Sequence, residues 1–399
     1  MHAWLTWVGV VLAPAAAFWD LDLYRWWMYR ALVEGTWPVL DDPWAYPAGA
    51  VLPMLLPGLG STVSTPQYAL GWCLLVALLD GAALAVLLRL PRGAAAAGWW
   101  TAALLLLGPV ALGRLDAVIT PLSMVALAVA ATPGARGRRA RVATALLTAG
   151  AWVKVAPGAL LLPLAAAARR PWRDVVLPAG LVTAALVGAV AAGGGGARLG
   201  SFLTTQTGRG LQLEAVGATP WVLATLGRDD VTIALDEALV TYQVHGPGTT
   251  AAARALDVVL VGAVLTVAAV LVHARRRGRA PAALLPAALA LSTALVVANK
   301  VGSPQYLTWL VPPVAVLLAV GTPDGWARDA QHRWLVAAAG LALLASGLTQ
   351  VVFPWGYPAL LAGDPTIAVV LTLRNATLVA VLACAAVGLR AALRPPPPR

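Results

Sequence analysis

Charged residues are scarce in this 399-residue chain, and their scarcity excludes most soluble proteins. Asp, Glu, Lys and Arg make up 11% of the sequence, whereas a typical soluble domain carries about 25%. A chain with so few charges cannot cover its folded surface with groups that water solvates. We therefore predict that lipid is its main solvent, and we exclude a soluble globular enzyme, a disordered chain and a coiled coil.

Residues that bind metals or form disulfides are also few. The two cysteines, Cys73 and Cys384, lie in apolar runs, and the four histidines are scattered along the chain. The sequence has no H-E-x-x-H, no C-x-x-C and no glycine-rich nucleotide-binding loop after a strand. We therefore predict no disulfide, no metal site and no cofactor.

Long apolar runs and tryptophan are abundant. Apolar residues make up 60% of the chain, and 17 Trp against 3 Phe suit the lipid–water interface, where an indole ring is buried while its N–H stays hydrated. At about 20 residues per span, the runs predict an all-α polytopic membrane protein with a bundle of about 10–12 transmembrane helices. Full spans are predicted near residues 3–19, 66–88, 94–110, 115–132, 174–193, 252–272, 281–298, 307–321, 334–353 and 368–389.

One further apolar stretch, residues 142–168, is interrupted by the sequence KVAPG. Each half is too short to cross a hydrocarbon core about 30 Å thick. We predict two short helices that meet near Lys154 and Pro157, below the outer surface. Such a break requires protein or a water-filled cavity around it.

The net charge of +11 is a topology signal rather than a nucleic-acid signal. The basic residues form short clusters between apolar runs, as expected for cytoplasmic loops. Both termini are then cytoplasmic, and we predict a multi-pass plasma-membrane protein that does not bind nucleic acid. The clusters are Arg89 and Arg92; Arg136, Arg138, Arg139 and Arg141; Arg169, Arg170 and Arg173; Arg275, Arg276, Arg277 and Arg279; Arg328 and Arg333; Arg390, Arg394 and Arg399.

The same orientation places two long segments outside the membrane, residues 20–65 and 194–251. Most acidic residues lie outside or at outer span ends, so polar chemistry is expected at the extracytoplasmic face. We predict one transmembrane domain over 1–390, with the two loops forming a cavity, and a disordered Pro-rich cytoplasmic tail over 391–399.

The first loop opens with DLDLY directly after the first span. The run from Asp20 to Glu34 predicts an interfacial helix that Gly35 terminates. Residues four apart are neighbours on a helix, so Asp20 shares a face with Tyr24 while Asp22 points elsewhere. Asp20 is either a functional carboxylate or a helix cap, in which case Asp22 is a first-turn charge favoured by the dipole.

Other polar positions are predicted at or within the membrane region. Arg114 and Asp116 begin a span at its outer end, and Lys154 lies deep in the membrane region. A buried ammonium is costly unless it is paired, so Lys154 is either a functional group or a structural partner of Asp80. Tyr46, which precedes a proline, lies in a rigid loop that either frames a cavity mouth or only connects elements.

Polar residues recur in the second loop and at the outer end of a late span. A lysine beside glycine and small polar residues suits a phosphate at the headgroup level, although Lys300 can also snorkel to the interface. Arg374 lies inside the last span and requires a partner, for which an anionic headgroup is suitable. The second-loop residues form either a site or a solvated loop. The candidates are Arg209, Gln212, Glu214, Asn299, Lys300, Ser303, Gln305, Tyr306 and Arg374.

These segments together resemble the GT-C superfamily of integral-membrane glycosyltransferases. The resemblance is closest to glycosyltransferase family 87, the actinobacterial polyprenyl-phosphate-mannose-dependent α-mannosyltransferases. The chain departs from the family at Arg114, where relatives more often have Gln, and at Asp22, a second carboxylate where relatives commonly keep the first. The matching segments cover most of residues 15–320 and are DLDLY, WAYPAGAVLPMLLP, GRLDAVITPLSMVALAVAA, AGAWVKVAPGALLLPLAAAARRPWR, GRGLQLEAVGATP and NKVGSPQYLTWLVP.

The resemblance implies an inverting transfer of a sugar, mannose in most relatives, from a polyprenyl phosphate to a lipid or glycan acceptor on the extracytoplasmic face. Asp20 matches the general base, and Lys300, Arg209 and Arg374, with help from Lys154, match the groups that stabilise the leaving phosphate. Its partners are then membrane lipids, a lipid-linked donor and a glycolipid or glycan acceptor, and we expect a monomer. The remaining candidates, Asp22, Tyr24, Tyr46, Arg114, Asp116, Gln212, Glu214, Asn299, Ser303, Gln305 and Tyr306, are expected to bind substrate.

Two other functions remain open. A transporter or lipid-sugar flippase would be expected to show internal repeats and polar residues spread through the bilayer midplane, and the sequence shows neither. A catalytically inactive relative that acts as a membrane scaffold is disfavoured only weakly by the presence of Asp20, Lys154 and Lys300.

Overall fold

The computed structural model describes residues 1–132, 136–207, 209–237, 240–321 and 333–394. The prolines of the predicted disordered tail lie outside these residues, and so do Arg328 and Arg399. The described chain is a polytopic α-helical membrane protein, as predicted, with one small β-hairpin added.

The N-terminal half consists of helices separated by short turns. The longer helices are α5 to α8, and a 3-10 turn, Ala156–Leu160, precedes α9. The helices are α1 His2–Trp7, α2 Pro14–Ala17, α3 Trp19–Leu32, α4 Val51–Gly58, α5 Thr65–Leu87, α6 Gly93–Leu107, α7 Asp116–Ala131, α8 Arg136–Val153 and α9 Leu161–Ala167.

The C-terminal half contains the longest helices and the hairpin. A 3-10 segment, Pro304–Leu310, precedes α15, and α16 packs against α18. The elements are α10 Leu177–Ala192, α11 Ser201–Thr207, α12 Thr219–Ala224, β1 Thr232–Asp236, β2 Thr241–His245, α13 Thr249–Arg276, α14 Ala280–Val297, α15 Val311–Val320, α16 Arg333–Gln350, α17 Tyr357–Leu361 and α18 Pro365–Ala392.

Seven helices among the described residues are long and apolar enough to cross a membrane. Three predicted spans, near 3–19, 115–132 and 307–321, are instead shorter apolar helices. In the first, the backbone leaves the helix at Ala13 before Pro14, because a residue that precedes proline is forced away from helical geometry. The seven helices are Thr65–Leu87, Gly93–Ala111, Trp172–Ala192, Thr249–Arg276, Ala280–Val297, Arg333–Trp355 and Pro365–Ala392.

Helices α10 and α13 have the surface of lipid-facing elements. Most of their apolar residues are not covered by protein, and Leu181 and Val258 are among the exposed large side chains. Such a continuous exposed apolar surface is stable in hydrocarbon but not in water.

The interrupted stretch forms two helices that meet where the sequence predicted. Helix α8 ends at Val153, and the chain passes through Lys154 into the 3-10 turn that contains Pro157. The first half, α8, is not among the seven described helices that are long and apolar enough to cross a membrane. Helix α8 begins at Arg136, within the basic cluster, and its 18 residues extend over about 27 Å.

The two outer loops contain elements that position polar residues. In the first loop, α3 forms the predicted helix, and Gly35 follows its end with a φ of 74° that favours glycine. In the second loop, β1 and β2 pair antiparallel with Thr232 opposite His245. The backbone at Gln212 also pairs with Gln243 of β2, which holds the start of this loop against the hairpin.

Candidate functional site

Asp20 and Arg114 form an ion pair where α3 meets the turn before α7. The Arg114 Nη1 lies 3.1 Å from the Asp20 Oδ1, and the two side chains are 9% and 23% exposed. The turn approaches closely because Gly113 has no side chain: a Cβ there would lie 2.6 Å from the Ala17 carbonyl oxygen. Asp20 is therefore held in place while its carboxylate remains partly accessible.

Two tyrosines lie beside this pair. The rings of Tyr24 and Tyr46 are 6.2 Å apart and nearly perpendicular. Removal from water is the main cause that raises the pKa of Tyr46 to about 12 and that of Tyr24 well above its usual value. The Asp20 carboxylate is the next cause for Tyr46, whereas for Tyr24 it follows the effect of Tyr46. Both phenols are therefore neutral and can serve as hydrogen-bond donors next to Asp20.

Asp22 belongs to a different face of α3, as the helical spacing predicted. Its Oδ1 accepts a hydrogen bond of 2.8 Å from the Arg25 Nε and another from the Thr65 hydroxyl. Burial alone would raise the pKa of Asp22, but the hydrogen bonds from Thr65 and Arg25 hold it below the usual value. The two carboxylates of DLD therefore do not converge on one ligand.

Asp116 binds two donors from distant segments. The Lys154 Nζ lies 2.5 Å from one carboxylate oxygen, and the Trp309 indole Nε1 donates to the other at 2.6 Å. The Lys154 ammonium also lies 5.1 Å from the centre of the Tyr306 ring, which stacks on Trp309 at 4.2 Å. Tyr306, Lys154, Asp116 and Trp309 thus share one cluster.

The expected pairing of Lys154 with Asp80 is wrong. Asp80 on α5 is paired with the N-terminal His2, whose Nε2 lies 2.8 Å from its carboxylate. Helix α7 packs directly against α8, so the first residue of α7, Asp116, is the carboxylate that reaches Lys154.

Replacing Trp309 by Phe tests how this cluster is held together. An aromatic ring is kept, although a smaller one, and one oxygen of a carboxylate that is 1% exposed loses its donor. We expect the free energy of unfolding to fall by about 1–3 kcal/mol, the usual cost of leaving a buried acceptor unpaired. Thermal unfolding in detergent measures this, with Trp172→Phe at an exposed position as the control. Equal stability of the two variants would contradict it.

Glu214 and Arg374 form the most deeply buried ion pair of the site. The Arg374 Nη2 lies 3.2 Å from the Glu214 carboxylate and donates to the Glu214 carbonyl oxygen at 3.1 Å. The side chains are 5% and 2% exposed. Burial raises the pKa of Glu214 to about 7, although Arg374 and then Arg114 lower it. Arg114 therefore acts on both the Glu214 and the Asp20 carboxylates.

The raised pKa of Glu214 predicts a dependence of stability on pH. The folded state binds the Glu214 proton more tightly than the unfolded chain, whose value is about 4.5. Stability from this group is complete below pH 4.5 and is lost as the pH rises through about 7. We expect the melting temperature to fall between pH 5 and 8, and to fall less in Glu214→Gln. An identical pH profile for both proteins would contradict the prediction.

The remaining candidates lie around the Glu214 segment. The Gln212 backbone N–H donates to the Lys300 carbonyl oxygen at 3.0 Å, and a Cβ on Gly302 would collide with the backbone of Glu214 and Ala215. The second-loop and late-span segments are therefore brought together as one unit. Asn299 accepts from the Val301 N–H, whereas the Ser303 and Gln305 carbonyl oxygens accept within the 3-10 segment.

The N–H donors of the site differ in whether they have a hydrogen-bond partner. The Lys300 ammonium lies 2.9 Å from the carboxylate of Asp257, which is in the N-terminal part of α13. By contrast, Arg209 Nε, Arg374 Nε and Gln212 Nε2 are buried without a hydrogen-bond partner in the described part of the chain. Buried donors without a partner are rare in folded proteins.

Sequence reasoning missed several aromatic residues of the site. Trp309 follows Tyr306 by three residues, a spacing that places side chains on one helical face, so it could have been included with Tyr306. Trp27 and Trp44, which contact Tyr46 ring to ring, carried no comparable sequence signal. Within the described ranges, no group of three or more His, Cys, Asp or Glu side chains is placed to hold a metal ion.

The chain is similar to two solved structures. No protein-family model and no curated protein matches it. The structures are ArnT from Cupriavidus metallidurans bound to undecaprenyl phosphate, at 15% identity over 95% of this chain and 77% of that chain, and ArnT in the apo state, at 16% identity over 96% and 77%. The TM-score is 0.44 for each. A similarity of this size identifies neither the substrate nor the site residues.

Proposed function

We propose that the protein is an inverting glycosyltransferase that moves a sugar, mannose as the first choice, from a polyprenyl phosphate to a lipid or glycan acceptor. The observation that carries this proposal is the state of Asp20. Asp116 and Glu214 are 1% and 5% exposed and already paired, whereas Asp20 is 23% exposed and held from one side by Arg114. Among these carboxylates, Asp20 is the one that a substrate can reach.

The reaction requires a base, an electrophile and a stabilised leaving group. The Asp20 carboxylate removes the proton of an acceptor hydroxyl while that oxygen attacks the anomeric carbon of the donor. The bond between the anomeric carbon and the phosphate oxygen breaks, and polyprenyl phosphate leaves with the bonding electrons. The attack from the opposite side inverts the configuration at the anomeric carbon.

Arginines are the groups suited to the leaving phosphate. Arg209 and Arg374 each retain a buried guanidinium N–H without a partner in the described structure, and Arg114 pairs with Asp20 and lowers the pKa of Glu214. The Lys154 and Lys300 ammonium groups are instead engaged by Asp116 and Asp257. We therefore assign contact with the phosphate first to Arg209, and we give Arg374, whose side chain is 2% exposed, and the lysines an indirect electrostatic role.

The location of the reaction follows from the charge distribution. The basic clusters on the predicted inner loops favour cytoplasmic termini, and the opposite face then contains Asp20 and both long loops. We propose that the reaction takes place on this extracytoplasmic side, with no metal and no nucleotide sugar as donor.

The proposal is tested with the purified protein in detergent. It is incubated with labelled polyprenyl-phosphate-mannose and a membrane lipid extract, and the labelled product is identified. Parallel reactions contain other polyprenyl-phosphate sugars, a nucleotide-activated mannose, or a chelator. We expect a product that depends on the lipid-linked donor and survives the chelator.

Two results would overturn this proposal. One is the absence of any product with every lipid-linked donor. The other is movement of the lipid-linked sugar across proteoliposome membranes without transfer, the behaviour of a flippase.

A further inference from the structure

An aromatic cavity lies on the first loop, apart from the Asp20–Arg114 pair. It has a volume of about 360 Å³ and forms between α3 and the segment after Gly35. This is the lower part of the size range of sites for small ligands. The side chains that give it chemical character are Trp26, Trp27, Arg30, Thr36, Asp42 and Trp44.

The residues that line the cavity suit both the faces and the edge of a sugar ring. A pyranose presents C–H groups on its faces, which stack on indole rings, and hydroxyl groups around its edge, which bind charged and polar side chains. Trp26 is 44% exposed and provides such a face. The Arg30 Nη1 and the Asp42 Oδ2, 3.0 Å apart, provide a donor and an acceptor next to each other.

Trp44 is a fixed residue of the cavity wall. The Trp44 side chain is 5% exposed, and its Nε1 is buried with no hydrogen-bond acceptor in the structure as described. The Trp44 backbone is fixed, because its N–H donates to the Ser201 hydroxyl and its carbonyl oxygen accepts from the same hydroxyl. A buried indole N–H without an acceptor is costly, and the fixed backbone holds the Trp44 ring as a rigid part of the cavity wall.

The charges of the cavity favour a neutral ligand. Arg30 is paired with Asp42 at 3.0 Å and lies 3.7 Å from Glu34, so its positive charge is compensated. Its guanidinium also lies 5.3 Å from the centre of the Trp26 ring. A phosphate would have to displace these carboxylates, whereas a hydroxyl can bind beside them.

A continuous series of aromatic rings joins the cavity to Asp20. The Trp44 and Trp27 rings lie 5.6 Å and 5.9 Å from the Tyr46 ring. Tyr46 in turn contacts Tyr24, and both tyrosines are within electrostatic reach of Asp20. The cavity and the Asp20 carboxylate therefore flank the same packed aromatic cluster.

We infer that this cavity is an acceptor subsite, which binds a neutral pyranose unit of the saccharide that receives the sugar. The inference rests on the proposed function and adds to it that the acceptor is itself glycosylated. Trp26 and Trp44 hold the sugar ring, and Arg30 and Asp42 bind its hydroxyls.

Binding is tested without catalysis, in the full-length Asp20→Asn protein. Saturation-transfer NMR is recorded with methyl pyranosides of mannose, glucose and galactose and with a mannose disaccharide. We expect Trp26→Ala, which removes the exposed indole, and Trp44→Phe, which replaces the indole by a smaller ring, each to weaken binding of the best-bound saccharide at least fivefold. Trp172→Ala, at an exposed site outside this cavity, is the matched control. Equal binding by Trp26→Ala and the control would overturn the subsite.

Kinetics with active protein separate this inference from the proposed function. In Trp26→Ala we expect the acceptor KM to rise about tenfold, with the donor KM and kcat unchanged. Normal transfer with an unchanged acceptor KM would overturn the subsite alone. Absence of transfer by the unaltered protein would overturn the proposed function, whatever the binding experiment shows.

Discussion

Asp20→Asn is expected to lower the rate of sugar transfer by about 10²- to 10⁴-fold, the usual contribution of a general base. The amide has nearly the shape of the carboxylate, and its oxygen can still accept from Arg114, so the fold should be kept. It cannot take the proton from the acceptor hydroxyl. The measurement is the initial rate of transfer by purified protein at saturating lipid-linked donor, together with its melting temperature.

Asp22→Asn is the matched control for this prediction. It makes the same chemical change two residues away, on the face of α3 where the carboxylate already binds Arg25 and Thr65. We expect its rate to stay within about threefold of the unaltered protein, since this residue is not the base. Comparable losses in the two variants would remove the distinction between the carboxylates and, with it, the assignment of the base.

The parts of the site that could be predicted from sequence are those set by local geometry. The separation of Asp20 from Asp22 follows from helical spacing alone. The helix break at Lys154 follows from a lysine and a proline in an apolar stretch. Gly35 at the end of α3 follows from the preference of glycine for a positive φ.

The pairing of charges could not be predicted, because it depends on which helices are neighbours. Lys154 reaches a carboxylate 38 residues away, and His2 reaches Asp80 across 78 residues. In an apolar bundle many helix orders bury similar area, so the sequence pattern does not choose among them. The placement of Glu214 against Arg374, 160 residues apart, is a further case.

The hairpin of the second loop was missed for a related reason. Its strands, Thr232–Asp236 and Thr241–His245, have only five residues each, and an isolated two-stranded hairpin of this kind is marginally stable without the contacts it makes to other segments. Gln243 bonds Asp236 and lies next to Gly210, and through Gln212 this hairpin positions the segment that carries Glu214.

Glu214→Leu is expected to reduce the free energy of unfolding by about 3–5 kcal/mol, because it leaves a buried guanidinium without a counter-ion. Arg374 is 2% exposed on the side chain, its Nε already has no partner in the described structure, and an arginine does not lose its proton in proteins. Only the Glu214 carbonyl oxygen would remain as its acceptor.

The reverse change, Arg374→Met, should cost less. The pKa of Glu214 is about 7, so this carboxyl can take up a proton and stay buried in its neutral form. For the same reason Glu214→Gln, which resembles the neutral acid, should be the mildest of the three. Glu214→Leu combined with Arg374→Met should recover part of the loss, since it removes the unpaired charge altogether.

The measurement is a double-mutant cycle on unfolding in detergent at pH 7, with Glu34→Leu as the exposed control, because the Arg30–Glu34 pair is at the surface and contributes little. If Arg374→Met were as destabilising as Glu214→Leu, the Glu214 carboxyl would have to stay ionised in the folded variant. Loss of either partner would then leave an unpaired buried charge, and the predicted asymmetry would be absent. The predicted asymmetry arises because one member of the pair can lose its charge while the other cannot. It leaves the site with a lasting positive charge at Arg374, which is the charge that a departing lipid phosphate requires.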